Sequence, residues 1–245
     1  LESVRLNRIP NLIYITSDKC YLNLDKTGSY KESDILGGID NYSSSKASAE
    51  LIFRSFFLSY FKKDYLSVAS TRAGNVIGGG DFKKDRIAPD VIKSLSKKKT
   101  IILRNPNATR PWQHVLEPLS GYLILGEKLI NKKLKSNLQP SWNFGPHKKN
   151  CKNVSEIVKL LIKEWGNKNH KVIINKKKLF HESKFLSLNI LKAKKELNWE
   201  PSLSFKETVN FTVDWYKNYY FDKKMINITS KQIEDYSNKQ LNDKL

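Results

Sequence analysis

The protein has 245 residues, a mass of 28.4 kDa and a formal net charge of +20. This length suits one large domain, or one domain with a smaller lobe, and two cysteines exclude a disulfide framework and a multi-cysteine zinc site. No apolar run approaches the ~20 residues that span a bilayer, so we expect no membrane partner. The cysteine usage fits a reducing compartment, so we expect a cytoplasmic protein.

The net charge raises the question of a polyanionic partner, because strongly basic chains often bind nucleic acid. The positive charge comes mostly from scattered lysine, as in the run at 97–99, whereas nucleic-acid readers favour arginine for bidentate base contacts. Abundant lysine, asparagine and isoleucine are also what A/T-rich codons produce. We therefore expect no nucleic-acid partner, and a basic nucleic-acid-binding protein remains the rival hypothesis from another class.

Strand and helix patterns alternate along the first part of the chain. The apolar run at 12–15 predicts a buried strand, the broad apolar face of 42–62 predicts a long helix, and 66–70 predicts a second strand. This alternation is typical of a doubly wound α/β sheet. Further helices are expected at 89–95, 117–131, 154–165, 190–197 and 205–219, with a loop at 105–111 and short strands at 100–103, 142–144 and 172–174. From 221 onward the chain is polar, which predicts a frayed helix or a disordered tail.

A tyrosine and a lysine stand at the start of the predicted long helix. Tyr42 and Lys46 are four residues apart, so both project from one helical face. A lysine ammonium stabilises a nearby phenolate, which lowers the tyrosine pKa from ~10 toward the working pH and makes the group a usable base. The same spacing also arises by chance on helix surfaces.

The polar triplet Ser17-Asp18-Lys19 directly follows the first predicted strand. In open α/β sheets, ligands bind beyond the carboxyl ends of the strands. The triplet offers a hydrogen-bond donor, a proton donor and a possible base, although a Ser-Asp turn after a strand is also common. The interval between Ser17 and Tyr42 fits a strand, a loop and the first turn of the next helix, so we expect both groups to meet over one substrate.

Several segments together resemble the extended short-chain dehydrogenase/reductases, the NAD-dependent epimerase/dehydratase family. The triplet and the Arg-Pro-Trp-Gln-His-Val block at 110–115 are most similar to its members that dehydrate CDP-glucose. The match covers about residues 9–220 and is carried by the segments 16–21, 42–46, 72–81, 104–122, 142–146 and 197–201.

The resemblance implies a Rossmann-like, doubly wound parallel sheet with a smaller α/β substrate-binding lobe. Residues 1–75 would form the C-terminal half of the NAD-binding domain, to which 113–145 returns. The sugar-nucleotide lobe would comprise 76–112 and 146–220, followed by the polar tail at 221–245.

The family's Gly-rich loop, which cradles the NAD pyrophosphate after the first strand, has no counterpart in this sequence. We therefore expect a C-terminal portion of a longer enzyme, missing the N-terminal half of the sheet and inactive with weak NAD affinity on its own. In such a portion the strand at 12–15 would lie at an open edge. Phe53, Phe57 and Phe61 of the long helix would face solvent.

The resemblance implies an NAD-dependent lyase that converts CDP-D-glucose to CDP-4-dehydro-6-deoxy-D-glucose for deoxysugar synthesis. Tyr42 would take the C4 hydroxyl proton, and Lys46 would hold the nicotinamide ribose and lower the pKa of Tyr42. Ser17 would hydrogen-bond the C4 oxygen. Asp18, with a pKa raised by burial, would protonate the departing C6 hydroxyl. Lys19 would be the C5 base, or would only stabilise the enolate by its charge.

Three further residues match the sugar-nucleotide site of the family: Asn75, Arg86 and Arg110. Arginine suits a pyrophosphate through bidentate contacts, although Arg86 is equally interpretable as a solvated surface charge. His114 is expected to be structural, and no metal site is expected, because the histidines lack ligand-like spacing.

The resemblance also implies a homodimer or a dimer of dimers. An epimerase or decarboxylase of the same superfamily is the rival enzyme hypothesis. An epimerase does not need the acid and base at 18 and 19, so these residues argue against it.

Overall fold

The structure is a computed structural model that describes residues 1–23, 28–63, 66–132, 134, 140–166, 170–175, 186–221 and 223–243. Its helices are α1 Glu2–Leu6, α2 Asn41–Phe56, α3 Ile87–Ser96, α4 Leu116–Ile130, α5 Val154–Trp165, α6 Phe205–Tyr220 and α7 Met225–Asn242. Its strands are β1 Asn11–Ile15, β2 Ser67–Ala73, β3 Val76–Ile77, β4 Ile101–Leu103, β5 Thr109–Pro111, β6 Gln113–His114, β7 Ser141–Phe144, β8 Cys151–Asn153 and β9 Val172–Ile174. Short 3-10 turns lie at Asp18–Cys20 and Lys148–Asn150, and π-helical turns at Phe57–Phe61 and Ala193–Leu197.

The chain divides into two compact units. Unit 1 comprises Leu1–Gly74, Glu117–Pro146 and Leu186–Pro201, and unit 2 comprises Asn75–Leu116, His147–Phe185 and Ser202–Leu245. Within the described ranges, no helix combines the length and apolar character needed to cross a membrane.

Unit 1 is built on a parallel sheet with strand order β1-β2-β7. Successive side chains of a strand point to opposite faces, and β1 follows this rule. Leu12 and Tyr14 contact the cluster formed by Phe53 on α2, whereas Ile13 contacts the cluster that contains Leu125 of α4. Helices therefore cover both faces, which confirms the predicted doubly wound α/β sheet.

The prediction that Phe53, Phe57 and Phe61 face solvent is wrong. They are 1%, 6% and 0% exposed, because α2 and the π-helical turn that follows it direct these side chains toward the sheet. The ring of Phe53 stacks on that of Tyr14, with centroids 5.5 Å apart. The strand β1 does lie at one end of the described three-stranded sheet, and Ile15 is 58% exposed there.

The segment 186–201 packs with unit 1, whereas the sequence assigns it to the substrate lobe. Its backbone pairs with the chain beside β7, where Asn189 N donates to Tyr30 O at 2.8 Å. Trp199 meets the ring of Phe144 edge-on, with centroids 4.9 Å apart. These long-range contacts leave no local signal in the sequence.

Unit 2 contains two parallel strand pairs, β3–β6 and β4–β9, and one antiparallel pair, β5–β8. Its apolar core lies among α3, α5 and α6. Asn153 and Glu156 form a capping box at the start of α5, and Gly166 ends the helix with a left-handed φ of 91°. The strand β5 lies in the predicted loop at 105–111, because its pairing with the distant β8 has no local pattern.

The helix α7 lies in the segment for which the sequence predicts a frayed helix or a disordered tail, and part of it is buried. Gln232 and Tyr236 are buried in it, and the Gln232 amide donates to Phe211 O of α6 at 2.8 Å. The indole of Trp215 on α6 donates to Thr229 Oγ1 at 3.0 Å. Polar contacts tie this helix to α6, so an apolar periodicity alone does not predict its packing.

Candidate functional site

The turn after β1 presents the Ser-Asp-Lys triplet at the carboxyl end of the sheet. Ser17 caps this turn, since its Oγ accepts a hydrogen bond from Lys19 N at 3.2 Å and donates to Asp18 Oδ1 at 3.1 Å. Asp18 is 3% exposed, whereas Ser17 and Lys19 are half-buried. The turn therefore encloses the carboxyl group and leaves the hydroxyl and the amine accessible.

The helix α2 begins beside this turn. Asp40 caps it and accepts hydrogen bonds from Ser43 N at 3.0 Å and Ser43 Oγ at 2.6 Å. These bonds hold the pKa of Asp40 below its ordinary value, and the positive charge of Lys19 adds to the effect. The turn and the first part of α2 are thus in contact and electrostatically coupled.

A glycine makes the close approach to α2 possible. A Cβ on Gly38 would lie 2.2 Å from Ser44 N, a distance at which atoms overlap. The Ser44 hydroxyl donates to Gly38 O at 3.0 Å, so the loop at 37–40 lies directly on the first turn of the helix.

Tyr42 and Lys46 share one face of α2, as the spacing predicts. Tyr42 is 56% exposed, and Lys46 Nζ lies 5.6 Å from the centroid of its ring. A phenol and an ammonium side by side suit the vicinal hydroxyls of a ribose, because both groups can hydrogen-bond to them. By donor chemistry these residues fit the ribose of a nucleotide.

A buried ion pair lies close to this turn, and the sequence analysis did not predict it. Glu50 and Arg72 are 1% and 3% exposed, and Arg72 Nη2 lies 2.7 Å from Glu50 Oε2. Glu50 also accepts a hydrogen bond from Ser70 Oγ at 2.9 Å and one from Thr16 Oγ1. The sequence does contain one signal for this pair. Glu50 is a carboxylate on the inward face of an amphipathic helix, four residues after Lys46.

Arg72 stays charged and Tyr21 stays neutral in this buried cluster. Burial alone lowers the pKa of Arg72, but its hydrogen bond to Glu50 and the negative charge of Glu50 outweigh burial and raise it. Burial raises the pKa of Tyr21, so its phenol accepts from Arg72 Nη1 at 2.8 Å and donates to Asn143 Oδ1 at 2.7 Å.

The three predicted sugar-nucleotide residues all lie in unit 2. The carbonyl of Asn75 accepts a hydrogen bond from Gln113 N at 3.2 Å. Arg86 is exposed and donates to Asp81 Oδ2 at 2.9 Å. Arg110 lies in β5, is 4% exposed, and donates to the carbonyl of the residue before it. Arg110 is enclosed by its unit, and Arg86 stands at the surface.

His114 is a buried, neutral side chain. Its Nδ1 accepts a hydrogen bond from Leu116 N at 3.3 Å, and burial lowers its pKa to about 4. Its ring meets Phe211 edge-on. These contacts suit the structural role expected from the sequence.

The chain is similar to curated enzymes over most of its length. It is 38% identical over 242 residues to the CDP-glucose 4,6-dehydratase of Salmonella typhimurium, which covers 96% of this chain and 67% of that protein. It is 24% identical over 211 residues to a dTDP-glucose 4,6-dehydratase of Xanthomonas campestris, covering 83% of this chain and 57% of the relative. The chain therefore spans roughly three-fifths to two-thirds of the relatives' length.

Solved structures of related enzymes superpose on it. The dTDP-glucose 4,6-dehydratase of Bacillus anthracis, solved in complex with NAD, matches with a TM-score of 0.74 and 26% identity over 89% of this chain and 64% of that one. The UDP-glucose 4-epimerase of Thermotoga maritima matches with a TM-score of 0.75 at 18% identity, over 89% of this chain and 67% of the epimerase, which shows the shared fold alone.

A family model agrees with these relatives. The model described as GDP-mannose 4,6 dehydratase matches residues 1–212, which include the turn after β1, the helix α2 and the predicted residues of unit 2. This chain belongs to the GDP-mannose 4,6 dehydratase family.

Proposed function

We propose that the protein is an NAD-dependent sugar-nucleotide 4,6-dehydratase that acts on CDP-glucose. The observation that carries the proposal is the contact between two elements of unit 1. One is the Ser17–Lys19 turn, and the other is the helix that presents Tyr42 and Lys46. The relative at 38% identity, named CDP-glucose 4,6-dehydratase, supports the choice of nucleotide.

Tyr42 is the proposed base for the C4 hydroxyl of the sugar. Its exposed phenol can reach a substrate, and the Lys46 ammonium lies 5.6 Å from the centroid of its ring. Lys46 would hydrogen-bond the ribose of the nicotinamide nucleotide. When bound, NAD would supply a hydride acceptor for C4 and a hydride donor for C6, so the cycle would have no net redox change.

Ser17 and Asp18 are proposed to act at two different oxygens of the sugar. The Ser17 hydroxyl is proposed to orient the C4 oxygen, for which its single hydrogen would leave Asp18 Oδ1 and donate to the sugar. Asp18 delivers a proton to the departing C6 hydroxyl, which leaves as water together with the loss of the C5 proton. Asp18 is 3% exposed, and this step needs its carboxyl group in the protonated form.

Lys19 is proposed to act at C5 in one of two ways. As a neutral amine it would take the C5 proton, and as an ammonium it would stabilise the enolate by its charge.

The sugar nucleotide is proposed to engage Asn75, Arg86 and Arg110. A guanidinium binds a pyrophosphate through paired hydrogen bonds. Arg86 must share its guanidinium with Asp81, and Arg110 acts from an enclosed position. The homodimer or dimer of dimers implied by the resemblance stays a prediction, which sedimentation of the protein would check.

The test uses the protein expressed from its complete reading frame. Incubated with NAD and CDP-glucose, it should release a product that is lighter than the substrate by one water. An epimerase yields an isomer of unchanged mass, so mass spectrometry separates the two enzyme hypotheses. A product of unchanged mass, or no product, contradicts the proposal.

A further inference from the structure

The buried ion pair of unit 1 contacts both flanks of the Ser17–Lys19 turn. On the upstream side, the hydroxyl of Thr16 donates to Glu50 Oε1. On the downstream side, Arg72 Nη1 donates to the hydroxyl of Tyr21 at 2.8 Å. The two ends of the turn are therefore tied to the two members of one ion pair, which is itself closed by the 2.7 Å contact.

One member of the ion pair, Glu50, lies on α2, the helix that carries the proposed base. Glu50 follows Lys46 by four residues and Tyr42 by eight, so the three side chains lie along one side of α2. Displacement of the turn relative to this helix requires breaking charge-assisted hydrogen bonds in a buried setting, where such bonds are strong.

The sheet anchors the pair on its other side. Arg72 is itself a residue of β2, and its Nη2 donates to Ser141 Oγ of β7 at 3.3 Å. Regular strands hold these groups, and a site supported from strands and helices keeps its geometry better than one supported from loops.

We propose that the Glu50–Arg72 pair positions the Ser17–Lys19 turn against the α2 face that carries the proposed base. This inference rests on the proposed function for its effect on catalysis, and on the contacts alone for its effect on the turn. A displacement of about 1 Å at a reacting group costs as much as ~10²-fold in rate, so loosening the turn should lower kcat.

The test removes the two links to the turn and leaves the ion pair intact. Replacing Glu50 would leave a buried, uncompensated guanidinium and endanger folding. Tyr21→Phe instead deletes only a hydroxyl and Thr16→Val replaces one by a methyl group, singly and together, and Thr16→Ser keeps the donor. Ser70→Ala is the matched control, because it deletes a bond to the same carboxylate that does not involve the turn.

Two readouts are compared: kcat and KM with CDP-glucose, and hydrogen–deuterium exchange of the backbone at 16–21. The double variant should lose roughly 10- to 10²-fold in kcat with little change in KM, and its turn should exchange faster. Thr16→Ser and Ser70→Ala should resemble the wild type in both readouts. Equal losses in Ser70→Ala, or wild-type kcat in the double variant, would overturn the inference.

The two proposals fail in different ways. A wild-type protein that removes no water from CDP-glucose refutes the proposed function, and the exchange data then decide the inference alone. Faster exchange at 16–21 in the double variant, but not in Ser70→Ala, supports the positioning role. Unchanged exchange in the double variant contradicts it.

Discussion

Truncation of Phe53 tests how α2 is attached to the sheet. Phe53 is 1% exposed and its ring stacks on Tyr14 at 5.5 Å. Removing a buried phenylalanine side chain costs ~3–5 kcal/mol, and the lost ring pair accounts for about 0.5–1.5 kcal/mol of that. We expect Phe53→Ala to lower the free energy of unfolding by about 4 kcal/mol. Leu51 on the same helix is 53% exposed, so Leu51→Ala should cost about 0.5 kcal/mol or less.

The assay is urea unfolding followed by far-UV circular dichroism. With an m-value of about 2–3 kcal/mol per molar urea, Phe53→Ala should move the unfolding midpoint down by roughly 1–2 M, whereas Leu51→Ala should barely move it. Equal shifts in the two variants would refute the inward orientation of this helix face and restore the expectation that Phe53 faces solvent.

Three other substitutions test the site and its support. Tyr42→Phe should lower dehydration of CDP-glucose by ~10²–10⁴-fold without changing the circular dichroism spectrum, and Tyr60→Phe, a half-exposed tyrosine after α2, is the control that should keep full activity. Gly38→Ala should destabilise the protein by about 1–3 kcal/mol, measured by urea unfolding, since the added methyl group overlaps the backbone of α2; a neutral effect would contradict the close approach. His114 has a folded-state pKa of about 4 against an ordinary value of 6.5, so the unfolded chain binds the proton first and the stability that His114 contributes is lost as pH falls from 6.5 toward 4. Between pH 7 and pH 5 this loss should be about 2 kcal/mol, and His114→Asn should flatten that part of the profile; an unchanged slope would exclude His114 as its cause.

Elements with a strong local period could be predicted from the sequence. The run at 12–15 forms β1 because four apolar residues in succession suit a strand covered on both faces. The helix α2 and the shared face of Tyr42 and Lys46 follow from a spacing of four residues. The Ser17–Lys19 turn lies where a strand ends, at the sheet edge where such groups meet ligands.

Features that depend on distant contacts could not be predicted. The burial of Phe53 depends on which face of α2 packs on the sheet. A helical period identifies the apolar face of a helix but does not show which element covers it. The pairing of Glu50 with Arg72 joins residues 22 positions apart, on a helix and a strand. The packing of α7 rests on polar groups such as Gln232, which no apolar pattern reveals.

The central claim is that one active site oxidises the sugar at C4 and reduces it at C6. The most direct test supplies CDP-glucose with deuterium at C4 to the protein expressed from its complete reading frame, with NAD, in ordinary water. The account predicts a dehydrated product in which nuclear magnetic resonance finds the deuterium at C6, because the hydrogen taken from C4 is returned to the same sugar. Deuterium that stays at C4, or a product that has lost no water, would contradict it.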